Sequence, residues 1–212
     1  MKFFNFYLWA LFFVSTNASA VLIDFSSNDG GFISSGSPSW VYTGSTWQTP
    51  GSTSINDNFL TSSAFTVDTN GDVSISLNHA YDFESPTDFF DGGVFEASIN
   101  GGAFSIITPV GGYPTAASTT DGCDGLGFIP CWSGDSGGFT IDTLALTGLN
   151  SGDIFNVRFH GNWDASQSEP SPNWQLASIQ LSNVVVGTVP EPTSLALLSL
   201  GLAGFGFSRK KK

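Results

Sequence analysis

The 212-residue sequence predicts an all-β domain, an antiparallel sandwich of two sheets, between residues 21 and 186. Two observations support this fold class. Several segments alternate apolar and polar residues, as strands with one buried and one wet face do. Turn-forming residues interrupt the chain about every ten positions, and no stretch of this region keeps apolar residues at helical spacing. We therefore expect about nine or ten short strands and no internal domain boundary.

The strongest strand predictions are the alternating runs 73–79, 93–100 and 154–160. Their predicted inward positions are Val73, Ile75, Leu77, Phe95, Ala97, Ile99, Phe155, Val157 and Phe159. Glu96 then faces outward. Further strands are expected at 21–25, 40–42, 64–67, 103–107, 139–141 and 176–184. The polar stretch 68–72 predicts a hairpin turn.

Residues 1–20 have the order of a secretory signal peptide. Lys2 gives a positive start, residues 3–14 are mostly apolar, and Ala18-Ser19-Ala20 offers the small residues that signal peptidase accepts. We therefore expect signal peptidase to cleave the chain so that the exported protein begins at Val21.

Residues 187–212 form a second end signal. Pro190-Glu191-Pro192 is followed by an apolar run at 195–207 and by a basic end that includes Arg209 and Lys210. The run is shorter than the roughly 20 residues of a stable membrane helix, and the basic end favours the cytoplasmic side with the bulk of the chain outside. These features fit a transient anchor that is later removed. They fit an ordinary C-terminal membrane anchor equally well.

This tail resembles the PEP-CTERM sorting signal in all three of its parts, which are the Pro190-Glu191-Pro192 motif, a short apolar sorting helix and the basic end. The resemblance implies recognition by an exosortase in a diderm bacterium that makes extracellular polysaccharide. It further implies transient anchoring in the inner membrane and delivery to the outer surface or the extracellular matrix. It concerns the destination of the protein rather than the work of its domain.

The exported part of the chain is strongly acidic. Between residues 21 and 191, Arg158 is the one Lys or Arg against all 18 Asp and Glu, which gives a net charge of −17. Such a surface repels phosphate backbones and anionic membranes, so nucleic-acid binding is excluded. The charge serves solubility alone, or some carboxylates share a hard cation.

Two cysteines occur, Cys123 and Cys131, eight positions apart in a loop that contains Gly and Pro. An exported pair so placed can form a disulfide, which would stabilise the domain by roughly 2–3 kcal/mol. The chain has no C-x-x-C redox pair and too few Cys and His for a zinc site.

The order of short motifs across residues 21–182 resembles the MAM-like jelly-roll modules of exported bacterial proteins and adhesins. The matching motifs are Asp24-Phe25, Asp29-Gly30-Gly31-Phe32, 60–65, His79 with Tyr81, Asp82 and Glu84, Asp91-Gly92-Gly93-Val94, Asn100-Gly101-Gly102, Trp132-Ser133-Gly134, Arg158-Phe159, Asp164 and Trp174. The resemblance implies an antiparallel jelly-roll β-sandwich. The family's last strand usually has an Asp pair after its Trp, whereas this chain continues with Gln175-Leu176-Ala177-Ser178. A metal site built on that pair would be weakened here.

Four carboxylates, Asp82, Glu84, Asp88 and Asp91, are candidate calcium ligands. They fall at a predicted strand end and in the loop that follows it. Calcium takes oxygen ligands from such loops, and carboxylates this close repel one another unless a cation or proton intervenes. The alternative is a solvated acidic loop with no ion.

Five residues, Trp40, Tyr42, Trp47, Trp163 and Asp164, are candidates for glycan contact. Aromatic ring faces stack on the C–H faces of sugars, while nearby acidic and amide groups bind hydroxyls. The alternative for each Trp is core packing, because an indole ring buries a large apolar area.

The sequence offers little for catalysis. His79 and His160 are the only imidazoles, and neither lies in a nucleophile motif. The Gly-Asp-Ser-Gly order within residues 133–137 superficially matches a serine-protease segment, but the domain is too small for that fold. We therefore expect a non-enzymatic protein that acts by adhesion or glycan contact in extracellular polysaccharide. A small glycan-active hydrolase or lyase and a purely structural matrix protein remain the alternatives.

Overall fold

The computed structural model describes residues 20–84, 90–115, 123–165 and 171–185. Residues 1–19 of the predicted signal peptide, the sorting tail and Asp88 lie outside these ranges. The described residues form strands, turns and one 3-10 turn at Asp124–Leu126, with no α-helix among them. No helix in this part of the chain is long and apolar enough to span a membrane. The all-β prediction is confirmed.

The first sheet has six strands, all paired antiparallel. They are β1 (Ala20–Asp24), β3 (Val41–Tyr42), β4 (Trp47–Thr49), β7 (Gly71–Tyr81), β10 (Thr140–Leu149) and β12 (Trp174–Ser182). Their order is β10-β7-β12-β4-β3, and β1 also pairs with β12.

The second sheet has seven strands, again all antiparallel. They are β2 (Ile33–Gly36), β5 (Asn56–Thr61), β6 (Phe65–Val67), β8 (Gly92–Ile99), β9 (Ser105–Ile106), β11 (Ile154–Trp163) and β13 (Val184–Val185). Their order is β13-β6-β11-β5-β2, and β8 pairs with both β11 and β9. The two sheets enclose one aromatic-rich core, as expected of a jelly-roll sandwich.

The alternating runs face the core as predicted. Val73, Ile75, Leu77, Phe95, Ala97, Phe155, Val157 and Phe159 are all buried. Ile99 is an exception at 38% exposed, because it ends β8 next to the turn that leads into β9. Glu96 was expected to face solvent, but it is buried and forms an ion pair with Arg158.

The predicted hairpin at residues 68–72 is wrong. β6 and β7 flank this stretch, but β6 pairs with β11 and β13 while β7 pairs with β10 and β12. The stretch is therefore a crossover between the two sheets. Turn composition marks where a strand stops, but it does not say which sheet receives the next strand.

Three strands, β2, β4 and β5, were not predicted. β10 is longer than the expected strand at 139–141, and the expected strand at 176–184 is divided between β12 and β13. Asn183 between these two has a positive φ of 57°, which breaks the regular extended backbone there.

One end of the sandwich gathers loops from both sheets. β8 begins beside the end of β11, where Gly92 pairs with Asn162. The chain reaches β8 directly from the end of β7, which belongs to the opposite sheet. Polar residues that follow β7 and β11 or precede β8 are therefore brought to the same place.

Candidate functional site

Three carboxylates meet at this end of the sandwich. Glu84 follows β7, Asp91 immediately precedes β8 and Asp164 immediately follows β11. Each contributes an oxygen that lies within 4.8 Å of the oxygens of the other two. We call these three residues the acidic cluster. Asp91 and Glu84 are buried, and Asp164 is half-buried.

Asp91 is the most enclosed member, with a fully buried side chain. Its Oδ1 accepts a hydrogen bond from the backbone N–H of Asp164 at 2.8 Å. Its Oδ2 is buried and has no hydrogen-bond partner. Burial, together with the negative charges of Glu84 and Asp164, raises the pKa of Asp91 to about 7 against the opposing hydrogen bond from the backbone of Asp164.

The acidic cluster overlaps only partly with the predicted calcium ligands. Glu84 and Asp91 belong to both sets. Asp82 is not part of the cluster; its backbone forms a β-bridge with Asp135. Asp164, which was predicted to contact glycan, takes a place beside the other two carboxylates instead.

The predicted glycan-contacting tryptophans lie in the core. Trp40, Trp47 and Trp163 are 3%, 7% and 0% exposed. Their indole N–H groups donate to Asn58 Oδ1, the Asp29 carbonyl and Asn173 Oδ1, respectively. Because these ring faces are buried, they cannot stack on a sugar, which contradicts the prediction that these three residues contact glycan. The large apolar area of the indole ring explains the core placement.

Tyr42 is half-buried at the edge of the core. Its hydroxyl donates to the carbonyl of Phe25 at 2.7 Å, and its ring packs against Trp47 with centroids 5.6 Å apart. Glycan contact by Tyr42 stays a prediction.

A polar pocket of about 270 Å³ opens beside β7 and β10. Its lining consists of Tyr81, Gly111, Gly112, Tyr113, Pro114, Trp132, Ser136, Thr140 and Asp142. We call it the Asp142 pocket. Thr140 and Asp142 continue the inward-facing row of Leu144 and Leu146 along β10. The strand therefore places a charged residue where its pattern would otherwise continue the core.

Hydrogen bonds fix one of the two oxygens of the Asp142 carboxylate. Its Oδ2 accepts from Trp132 Nε1 at 2.8 Å and lies 2.9 Å from His79 Nε2. Within the described part of the chain, no donor reaches Oδ1. The side chain is 29% exposed, so one oxygen is anchored and the other is left for the pocket.

His79 links Asp142 to Trp174 in the core. It is fully buried, and its Nδ1 accepts from Trp174 Nε1 at 3.0 Å. The ring proton of neutral His79 therefore sits on Nε2 and is donated to Asp142. Burial lowers the pKa of His79 in spite of Asp142, and the hydrogen bond from His79 lowers the pKa of Asp142. At neutral pH the pair is a neutral imidazole and an ionised carboxylate.

A larger groove of about 490 Å³ runs along β1 and the start of β6. Its lining is mainly apolar side chains and strand edges, such as Leu22, Phe65 and Val185. Both cavities have polar residues in their lining. In the smaller cavity the Asp142 carboxylate is fixed by His79 and Trp132, so this cavity is the better candidate for specific recognition.

Cys123 and Cys131 form a disulfide, with their Cα atoms 6.1 Å apart. Both residues are fully buried and pack with Val94 of β8. The bridge fastens the loop that carries Trp132 onto the second sheet, so it supports one wall of the Asp142 pocket.

Residues 188–210 match the model of the PEP-CTERM protein-sorting motif. This match confirms the predicted sorting signal and its apolar and basic parts. It indicates an exported protein that is transiently anchored by its C-terminal tail. Comparison with curated protein sequences gives no significant match.

Several solved structures are similar in fold. A CBM35 module of Abf62 from Cellvibrio japonicus has a TM-score of 0.39 and 15% identity, covering 80% of this chain and 95% of the module. The C-terminal CBM6 of LamC from Zobellia galactanivorans has 0.35 and 12%, covering 77% and 99%. The carbohydrate recognition domain of Emp46p has 0.43 and 12%, covering 77% and 93%.

Sequence reasoning missed Asp142 and its neighbours. The available signal was the alternation of β10, in which Thr140 and Asp142 occupy the same parity as the buried Leu144 and Leu146. A charged residue at an inward position needs a partner or solvent, and Asp142 has both.

Proposed function

We propose that this chain is an exported, non-enzymatic protein that contacts glycan through the Asp142 pocket. The observation that carries the proposal is the carboxylate of Asp142, which is ionised, anchored through Oδ2 and partly exposed at the pocket. A fixed carboxylate accepts hydrogen bonds from sugar hydroxyls without first losing side-chain freedom. Tyr81 and Thr140 also line the pocket, where Tyr81 offers an aromatic ring and Thr140 offers a hydroxyl.

The size of the pocket favours a single sugar unit. Its volume of about 270 Å³ is below the roughly 300–1,000 Å³ of sites for drug-sized ligands. We therefore assign it a chain end or a branch of a polysaccharide. The net charge of −17 between residues 21 and 191 favours neutral glycans over acidic ones.

The same lining argues against hydrolysis. Most glycoside hydrolases place two carboxyl groups on either side of the scissile bond. Among the lining residues Asp142 is the one acidic group. His79 Nε2 is hydrogen-bonded to Asp142. The hydrolase or lyase alternative is therefore second to a binding role.

The sorting signal supports the location that we propose for this activity. Signal peptidase would release the start of the exported chain, and an exosortase would act at Pro190-Glu191-Pro192. The protein would then work by adhesion at the outer surface or in the extracellular polysaccharide matrix. Kinship with MAM-like modules and calcium as a cofactor are parts of this proposal.

A glycan-array screen of the purified exported protein, with and without calcium, tests the glycan contact. We expect binding to neutral glycans with no released product. Asp142→Asn should lower the affinity for the glycan about 10- to 100-fold, because it removes a charged hydrogen-bond acceptor. Product release would favour the hydrolase or lyase instead, and no binding at all would leave the purely structural matrix protein.

A matched pair of variants controls for folding. Thr140→Val removes a hydroxyl from the pocket, and Thr143→Val makes the same change on the outward face of the same strand. Glycan affinity should fall in Thr140→Val and stay unchanged in Thr143→Val. Equal affinities in the two variants would exclude the pocket as the binding site.

A further inference from the structure

We infer that the acidic cluster of Glu84, Asp91 and Asp164 is a site for one calcium ion, which ties the two sheets together at this end of the sandwich. The inference deepens the calcium part of the proposed function, and it does not depend on glycan binding. Its ligands differ from the predicted set, because the cluster includes Asp164 and not Asp82, while the predicted ligand Asp88 lies outside the described residues.

The first argument is that the exported domain is poor in cations. Arg158 is the one Lys or Arg between residues 21 and 191, and it is paired with Glu96. His79 is bonded to Asp142, and His160 is bonded to Glu96 and Asp57. These three side chains contact other carboxylates, and a dissolved cation would relieve the repulsion among the carboxylates of the acidic cluster.

The second argument is the fully buried oxygen of Asp91. Oδ1 accepts from the backbone N–H of Asp164, but Oδ2 has no partner although it lies in a closed interior. A buried polar atom without a hydrogen bond is costly. Because the Asp91 carboxylate belongs to the converging set, a cation bound by the acidic cluster would lie beside this carboxylate and could satisfy Oδ2.

The third argument is the spacing of the ligands. Calcium holds its oxygens at about 2.3–2.6 Å, so two ligands on opposite sides of one ion lie roughly 4.6–5.2 Å apart. The three oxygens lie within 4.8 Å of one another. This spacing lets one cation reach all three carboxylates. Magnesium demands near-ideal octahedral geometry and gives up its waters reluctantly, so a set of several protein carboxylates favours calcium, with water or backbone oxygens completing its shell.

Thermal unfolding of the purified exported protein in calcium or magnesium at equal ionic strength tests the inference. Calcium at a hundredfold excess over its dissociation constant should raise the melting temperature by about 5–10 °C, and magnesium should raise it much less. Isothermal titration calorimetry should give one calcium per chain. Equal shifts with the two ions, or no calcium-dependent shift, would overturn the inference.

Three variants assign the site. Asp91→Asn and Glu84→Gln should each abolish the calcium-specific shift. Asp82→Asn should retain it, because Asp82 lies outside the cluster. Asp68→Asn, which makes the same change of charge in the β6–β7 crossover, is the matched control and should also retain it. A shift that survives Asp91→Asn, or one that is lost equally in Asp68→Asn, would show that the ions act on the overall charge.

Asp91→Asn also separates a metal site from a variant that fails to fold. Without calcium this variant should melt at least as high as the parent protein, because it removes a buried charge and keeps an oxygen for the Asp164 N–H. A normal melting transition together with loss of the calcium shift supports the site. Glycan binding by the same protein is measured separately, so either proposal can fail alone.

Discussion

The guanidinium of Arg158 donates from Nε to Oε2 of Glu96 over 2.5 Å. The Glu96 side chain is only 9% exposed, and the guanidinium carbon lies 4.5 Å and 4.0 Å from the ring centroids of Phe59 and Phe104. Arg158, the domain's one permanent cation, thus compensates the buried carboxylate of Glu96. Cation–π contacts with the two rings hold the guanidinium in place.

Removing this cation should destabilise the domain. Arg158→Gln removes the permanent cation beside the buried Glu96 and leaves this carboxylate with the longer contact to His160 at 3.3 Å. We expect a loss of about 2–4 kcal/mol in the free energy of unfolding. Urea unfolding measures the change.

The double variant Arg158→Gln with Glu96→Gln is the control, because it removes both charges together. It should be more stable than Arg158→Gln alone. If the single and double variants unfold at the same urea concentration, the cost does not come from the stranded Glu96.

Stability should depend on pH through His160. Burial alone would lower its pKa, but hydrogen bonds to Glu96 and Asp57 raise the pKa of His160 above its ordinary value. The folded state therefore favours the protonated ring. This stabilisation is fully present below the usual pKa of about 6.5 and is lost as the pH rises through the raised folded value.

Urea unfolding of the parent protein and of His160→Gln, at about pH 5.5 and about pH 8.5, measures this contribution. The calcium concentration is kept saturating so that Asp91 stays ionised. The parent should gain more stability at the lower pH than the variant does. His79 gives a comparison of opposite sign, because burial lowers its pKa and stability is lost as the pH falls through that value. If the free energies of unfolding of the parent and His160→Gln differ by the same amount at both pH values, the prediction is contradicted.

The disulfide should contribute to stability and should form in the exported protein. Peptide mapping without reduction should find Cys123 joined to Cys131. Replacing both by Ser should lower the free energy of unfolding by roughly 2–3 kcal/mol, and dithiothreitol should then have no further effect. Free thiols at both positions in the native protein would be the contrary result.

Processing should remove both ends of the chain. Intact-mass measurement on protein from the native host should find a chain that starts at Val21 and lacks the segment after Pro190-Glu191-Pro192. The start is at the second residue of β1, where Val21 pairs with Leu181. A recovered chain that still ends at Lys212 would show that the tail stays as an anchor.

The sequence by itself determined the all-β class, the faces of the longest strands and the sorting signal at the C-terminus. The alternation of β7 placed Ile75 and Leu77 in the core, because successive side chains of a strand point to opposite faces. The sorting signal could likewise be predicted, because its motif, apolar run and basic end follow one another along the chain.

Only the tertiary structure decided which polar residues meet. The backbone of Asp164 reaches Asp91 across 73 positions of sequence, and Asp142 reaches His79 across 63. Local patterns carry no information about such distances, since loops from different sheets meet only when the strands between them have paired. For the same reason the sequence could not say whether Trp163 packs inside or faces a ligand, because an indole ring suits both places until its neighbours are fixed.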